Sequence, residues 1–336
     1  MRAWVLTDGS ADDEARCFGV AEAVADRIER RRVAPRAPWN WVAPFGPVPL
    51  RDRPEAPNSP IAPRGEWPDL VVAAGRAAAP YLAHVKRASF GRSVAAFIGD
   101  TLRGAALADV LAVTEGSRHR GSNVVAALTR PHRIGAVRLA AARAAQPLVP
   151  SSLKGPRVGV LLGEGGKGRA WTREDVARLA AGVRRLRDDG AIVIAAARRA
   201  APRALDMALA ETAHYLWDRE GPDPYVALLA QSQALVAPGD DLLSIDEALA
   251  TGSPVLAFRP GGVKRRTAAA LDRLTARGVV RPFAGRLENY SYAPLDSTPE
   301  IARAISALVA TRAALAPRPE RRVAARKQKT NGPTSR

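Results

Sequence analysis

Short apolar runs and longer stretches of helical period alternate along this chain, and the alternation happens twice. In the first half Ala3–Leu6, Asp69–Ala74, Ser93–Ile98, Val110–Thr114 and Asn123–Ala127 are brief and rich in Val and Ala, the pattern of buried strands. Between them the spacing predicts a helix over 12–31, with Val20, Ala23, Val24 and Ile28 on one face, and shorter helices over 77–87 and 138–145. The stretch 34–67 is Pro-rich, which forbids a central strand or a helix interior. So long a connection in a compact domain tends to be functional or mobile.

After a linker at 147–156 the pattern restarts. Apolar runs at 157–162, 191–196, 214–217, 234–237 and 254–258 alternate with helical segments at 172–187, 202–212, 225–230, 242–250, 267–277 and 299–315. The 172–187 segment is the clearest. Thr172 and Asp175 resemble a capping box, and Val176, Leu179, Ala180, Val183 and Leu186 form one stripe. Gly252 stops the helix that carries Glu247, and Thr298-Pro299 opens the last one.

Strands alternating with helices predict an α/β chain of parallel, doubly wound sheets. Two such series predict two Rossmann-like halves facing across a crevice. Residues 1–150 form the first and 151–300 the second, followed by a helix at 301–316 and a basic tail at 317–336. Ligands of such sheets sit off the carboxyl ends of the strands. The loops to search are therefore 7–14, 75–76, 99–100, 163–169, 197–199 and 239–241.

Composition narrows the setting. One cysteine in 336 residues excludes an internal disulfide framework and fits a reducing, cytoplasmic compartment. Met1-Arg2 runs straight into a strand, so no leader is expected, and no stretch of 18 apolar residues predicts a membrane span. Cys17 reads as a small core residue. The formal net charge of +18 favours phosphorylated ligands or an anionic lipid surface at the inner membrane. Nucleic acid bound through the tail 318–336 is the weaker reading, and arginine on ordinary solvated helix faces explains much of the charge. The tail has no apolar period and is expected to be disordered.

Three features carry candidate chemistry. Gly163, Gly165, Gly166 and Lys167 belong to a GxGxxG loop after a strand, where backbone amides and a helix N-terminus can meet a phosphate. Lys167 is followed by Gly168, so this is not a Walker loop. As a dinucleotide fingerprint it is also incomplete, because the next strand ends in Arg198-Arg199 and not in an acid. Those two arginines can clamp a diphosphate bidentately. Third, residues 237–255 read strand, polar loop, helix, strand. Glu247 lies in the helix, where a carboxylate can accept both hydroxyls of a ribose; the alternative is an exposed helix charge. The histidines, His84, His119, His132 and His214, lack zinc-ligand spacing, though His119 lies in a polar loop within reach of the crevice.

The 237–255 segment resembles the E-A-L-x-x-G-x-P-V element of glycosyltransferases of the B fold (GT-B). More narrowly, the chain resembles the mitochondrial-fission (elongated mitochondria) family, a family assigned to those transferases. The resemblance runs from about residue 3 to 310. It is carried by Leu6–Gly9 with Glu14, Pro38-Trp39 with Trp41, Pro68–Val71 with Gly75-Arg76, Pro131–Arg133, Arg198-Arg199, Pro224-Tyr225 and Arg281–Phe283. It implies a GT-B fold and transfer from a nucleotide sugar, as co-substrate and not cofactor, to an envelope or lipid-linked acceptor. The donor would lie on Gly163–Lys167, Arg198-Arg199, Asp240 and Glu247. One of Asp8, Glu14 and Asp100 would act as general base. No metal is expected, since Asp240-Asp241 is only a poor likeness of a DxD motif. The chain departs from the family at Asp12, Asp13 and Arg16, at 99–102 and at 114–117, where the expected His and Asp are missing. That motivates an alternative: a nucleotide-binding or adaptor protein on the same fold without turnover. A sugar-nucleotide epimerase is a further option, lacking an evident acid–base pair.

Overall fold

The computed structural model describes residues 1–163, 171–197 and 203–315. Gly165, Gly166, Lys167, Arg198, Arg199 and the tail, expected above to carry function or disorder, therefore lie outside the described residues.

The first half runs β1 (Arg2–Thr7), α1 (Ala11–Val24), β2 (Arg27–Arg32), α2 (Trp39–Val42), β3 (Leu70–Ala74), α3 (Ala79–Ala88), β4 (Val94–Ile98), β5 (Val110–Thr114), β6 (Val124–Ala127) and α4 (Ala136–Ala144). The second runs β7 (Arg157–Leu162), α5 (Arg173–Asp188), β8 (Ile192–Ala197), α6 (Arg203–Leu209), β9 (Tyr215–Leu216), α7 (Tyr225–Gln231), β10 (Ala234–Pro238), α8 (Leu242–Leu249), β11 (Val255–Phe258), α9 (Arg265–Ala276), β12 (Val280–Pro282) and α10 (Thr298–Leu315). Among the described residues the strands form two six-stranded parallel sheets, ordered β2-β1-β3-β4-β5-β6 and β12-β11-β10-β7-β8-β9. These are two doubly wound sheets in one α/β chain, the GT-B arrangement.

Period-2 alternation fills both faces of each sheet. Ala3, Val5, Leu70 and Val72 join Cys17, Val20 and Ala21 of α1, while Trp4, Leu6, Val71 and Ala73 pack with Tyr81, Leu82 and Val85 of α3. In the second sheet Val158, Val160 and Leu162 meet Leu179, Val183 and Leu186 of α5; Ile192 and Ile194 face Leu228, Ile245 and Leu249. Leu139 of α4 joins that last core, whereas Ile301 and Ile305 of α10 return to the first sheet, against α1. The two halves are thus tied by helices at both crossings.

Two elements differ from the sequence expectation. The helix predicted over 12–31 ends at Val24, and 27–32 forms β2, paired in register with β1 from Arg2↔Arg27 to Thr7↔Arg32. Five of its six residues are charged, which suits a sheet edge open to water. Strand β12 was hidden by its length of three residues. The capping box of α5 is present as expected: Thr172 accepts from the Asp175 amide, and Asp175 from the Thr172 amide.

Candidate functional site at the crevice between the sheets

Each sheet has one point where the strand order reverses. In the first it lies between β1 and β3, in the second between β7 and β10. At such a point adjacent loops leave in opposite directions and open a crevice. The second sheet, counted from β7, has the order 3-2-1-4-5-6 of dinucleotide-binding sheets.

A cavity of about 320 Å³ lies between the halves. The first half lines it with Asp13 and Arg16 of α1, Gly75, Gly99-Asp100, Thr114 and Thr129–Pro131; the second supplies Leu242, Arg266, Thr267, Ala270 and Arg273 from α8 and α9. Gly75 has φ +87°, and a Cβ there would lie 2.7 Å from an Asp13 oxygen, so only glycine lets α1 start this close to the end of β3.

The crevice between the halves is crossed by ion pairs. Arg266 pairs with Asp100, Arg277 of the second half reaches Glu115 at 2.6 Å, and Arg130 of the first reaches Asp246 at 2.9 Å. Asp246 also accepts the Arg130 backbone amide at 3.1 Å. This carboxylate is 2% exposed, and burial pushes it up to about 6, the neighbouring Arg130 offsetting part of the effect. Next to it, 129–132 and the start of α10 interlock: Thr129 Oγ1 and Ser297 Oγ lie 2.8 Å apart, and the His132 amide donates to Thr298 Oγ1. His132 Nδ1 accepts from the Ile134 amide, and burial holds the imidazole below its usual range.

The carboxyl ends of the second sheet are tightly built. A Cβ on Gly163 would lie 2.9 Å from Pro238 Cγ and 3.6 Å from Asp241 Cβ, so the chain leaving β7 presses on the end of β10 and the loop after it. Asp240 accepts the Trp171 indole N–H at 3.0 Å, and the indole packs on Phe258. Asp241 caps α8 by accepting the Ser244 amide. Glu247, 5% exposed, accepts the Tyr225 hydroxyl at 2.6 Å.

The residues expected to carry chemistry therefore separate. Asp100 lines the cavity. Asp8 and Glu14 do not: Asp8 closes its own turn onto the Ser10 amide, and Glu14 pairs with Arg30 of β2 at 3.4 Å. Gly163, Asp240 and Glu247 gather around β7, β10 and α8. Asp13, Arg16, Arg130, Asp246, Arg266 and Arg273 were missed. Asp13 and Arg16 stood out in the sequence only as departures from the family pattern; the others had no signal but position, within a few residues of a strand end or on the helix that follows. His119 lines a neighbouring hollow of about 280 Å³ with Glu115, Ser117 and Arg120. Burial drives the Cys17 thiol far above its usual range, as suits a core residue. Among the described residues no helix is long and apolar enough to cross a membrane, and no group of three His, Cys, Asp or Glu could hold a metal ion.

Comparison with solved structures returns UDP-GlcNAc 2-epimerase from Neisseria meningitidis at 14% identity and TM-score 0.47, covering 92% of each chain. A UDP-glucosyltransferase from Polygonum tinctorium aligns at 13% identity and the same score, covering 92% of this chain and 89% of that one. At such scores the likeness adds nothing to the sheet order already described. Among curated proteins, the mitochondrial fission protein ELM1 of Arabidopsis thaliana is 38% identical over 101 residues. That match covers 29% of this chain and about a quarter, 24%, of the relative. The family described as mitochondrial fission ELM1 matches residues 11–309, nearly the whole of both halves, and the chain belongs to that family.

Proposed function

We propose that the chain is a glycosyltransferase that binds a nucleotide sugar at the carboxyl ends of the second sheet and transfers the sugar to an acceptor presented by the first half. The observation that carries this reading is the reversal point of the second sheet. Its order brings Gly163 against Pro238 and Asp241, and Leu242 at the start of α8 lines the cavity. Glu247, with its carboxylate oriented by Tyr225, accepts the ribose hydroxyls. Gly165, Gly166 and Lys167, with Arg198 and Arg199, face the diphosphate in this proposal, as backbone donors and guanidinium clamps.

Transfer then needs three things. An acceptor hydroxyl attacks the anomeric carbon, its proton goes to a base, and the bond to the diphosphate breaks, releasing the nucleoside diphosphate. Asp100 is the proposed base, being the predicted carboxylate that lines the cavity. Its partner Arg266 belongs to the other half, so opening of the crevice frees the carboxylate before an acceptor enters. Arginines at the cavity wall stabilise the departing charge. The envelope or lipid-linked acceptor remains part of this proposal.

A second reading is an adaptor that binds a nucleotide without turnover. The observation favouring it is that both carboxylates lining the cavity are engaged, Asp13 with Arg16 and Asp100 with Arg266. Release of nucleoside diphosphate from a panel of nucleotide sugars separates the two. Turnover that disappears in Glu247→Ala supports the transferase, whereas an unchanged rate removes Glu247 from the ribose. Nucleotide binding with no release from any donor favours the adaptor.

A further inference from the structure

The Pro-rich segment 34–67 has a role in neither half of the proposed reaction, yet it is held in place with care. Arg76, just after β3, donates to the backbone oxygens of Trp41, at 2.8 Å, and Ala43. Arg103, beyond β4, donates to the Pro44 oxygen at 2.8 Å. Two guanidinium groups thus fix one turn of main chain against the carboxyl ends of β3 and β4. Gly75, next to Arg76, and Gly99-Asp100, three positions before Arg103, line the cavity. The turn therefore sits at the crevice rim of the first half.

What the turn presents is apolar. Trp41 is 71% exposed and Phe45 64%, with Val42 between them, and Leu102 beside Arg103 is 76% exposed. Helix α2 contributes no buried residue. A turn anchored by its backbone while its large side chains stand in water is not there to fill a core. Exposed arginines flank it in sequence, Arg36 before and Arg51 and Arg53 after, on a chain whose net charge is +18. Exposed Trp and Phe on one turn, with arginines before and after it in the chain, match a bilayer interface with anionic headgroups: rings enter the boundary while guanidinium groups remain among the phosphates.

We infer that the Trp41–Phe45 turn docks the protein on an anionic lipid surface, bringing the crevice mouth to the membrane. This surface goes beyond the transferase reading and stands without it, because docking needs no turnover. One turn of this size gives reversible binding, with charge and ring insertion both required.

The test is co-sedimentation of the full chain with phosphatidylcholine vesicles and with mixed phosphatidylcholine–phosphatidylglycerol vesicles. The wild type sediments with the mixed vesicles and scarcely with the neutral ones. Trp41→Ser combined with Phe45→Ser weakens that binding at least about tenfold, since two aromatic side chains no longer leave water. Both side chains are exposed, so the variant keeps the melting temperature of the wild type. With brominated anionic lipid, tryptophan quenching falls in Trp41→Phe. Two results overturn the inference: a double variant that sediments like the wild type, or a wild type that binds neither vesicle, whether or not it self-associates through these residues. Nucleotide binding is read on the same protein without lipid, so failure here and failure of the transferase reading are distinguishable.

Discussion

Asp246 is the residue whose behaviour the fold determines most sharply. Its carboxylate is buried against Arg130, 116 positions away in the chain, and burial outweighs the pairing. With a folded pKa near 6, above the ordinary 3.8, the folded protein takes up a proton across that window that the unfolded chain does not. This group's contribution to stability therefore grows as pH falls from above about 6 to below about 4, by roughly 3 kcal/mol in all. The difference in unfolding free energy between wild type and Asp246→Asn should shift toward the wild type over that range. A difference independent of pH would refute the assignment. At Asp100 the proposal demands that Asp100→Asn lower turnover by about 10²–10⁴-fold while nucleotide binding persists. Equal loss of both would make the residue structural. The sequence proposes Glu247, because it sits in the E-A-L-x-x-G-x-P-V segment, but not Asp246, whose partner only folding supplies. It also pointed to Asp8 and Glu14 where the structure brings Asp13 and Arg16. Asp13 and Arg16 share a face of α1 at i, i+3, and Glu14, rotated by about 100°, turns toward β2 instead.

At the scale of elements, the alternation of runs made most strands and helices legible, since buried parallel strands are apolar on both faces. It failed at β2. The stripe Val20, Ala23, Val24 extends in phase to Ile28, so periodicity alone continues the helix. What stops it is tertiary: the Asp26 and Arg27 amides donate to the Met1 oxygen, and the edge of β1 offers pairing along 27–32. The junction of β7 with β10 gives a direct test of close packing. Gly163→Ala sets a methyl group 2.9 Å from the rigid Pro238 ring and 3.6 Å from Asp241 Cβ. We expect a loss of about 1–3 kcal/mol, seen as a lower urea midpoint at unchanged slope. An unchanged midpoint would mean that the two loops are not pressed together.

Taken as a whole molecule, the halves are held together by links of different kinds. Arg266–Asp100 and Arg277–Glu115 lie at partly exposed positions and are screened by salt, whereas Asp246 beneath Arg130, the Thr129 and His132 contacts at the start of α10, and Ile301 and Ile305 of α10 are buried. Arg266→Ala combined with Arg277→Ala should enlarge the radius of gyration in small-angle scattering, with little change in melting temperature. A nucleoside diphosphate that bridges the crevice should reverse the enlargement. Identical profiles for variant and wild type would show that these pairs do not hold the crevice closed. Two halves and their sheets could be read from the chain; the pairs across the crevice could not, because each joins residues more than a hundred positions apart. The central claim is that a nucleotide lies at the reversal point of the second sheet. Thermal shift against UDP, GDP, CMP, ADP, NAD and NADP, for the wild type and Glu247→Gln, tests it most directly. Ligand bound to the native state raises the melting temperature by mass action. We expect one nucleoside diphosphate to stabilise the wild type and Glu247→Gln to lose most of the effect; no stabilisation by any of them, or an equal shift in the variant, would rule out a nucleotide at that point.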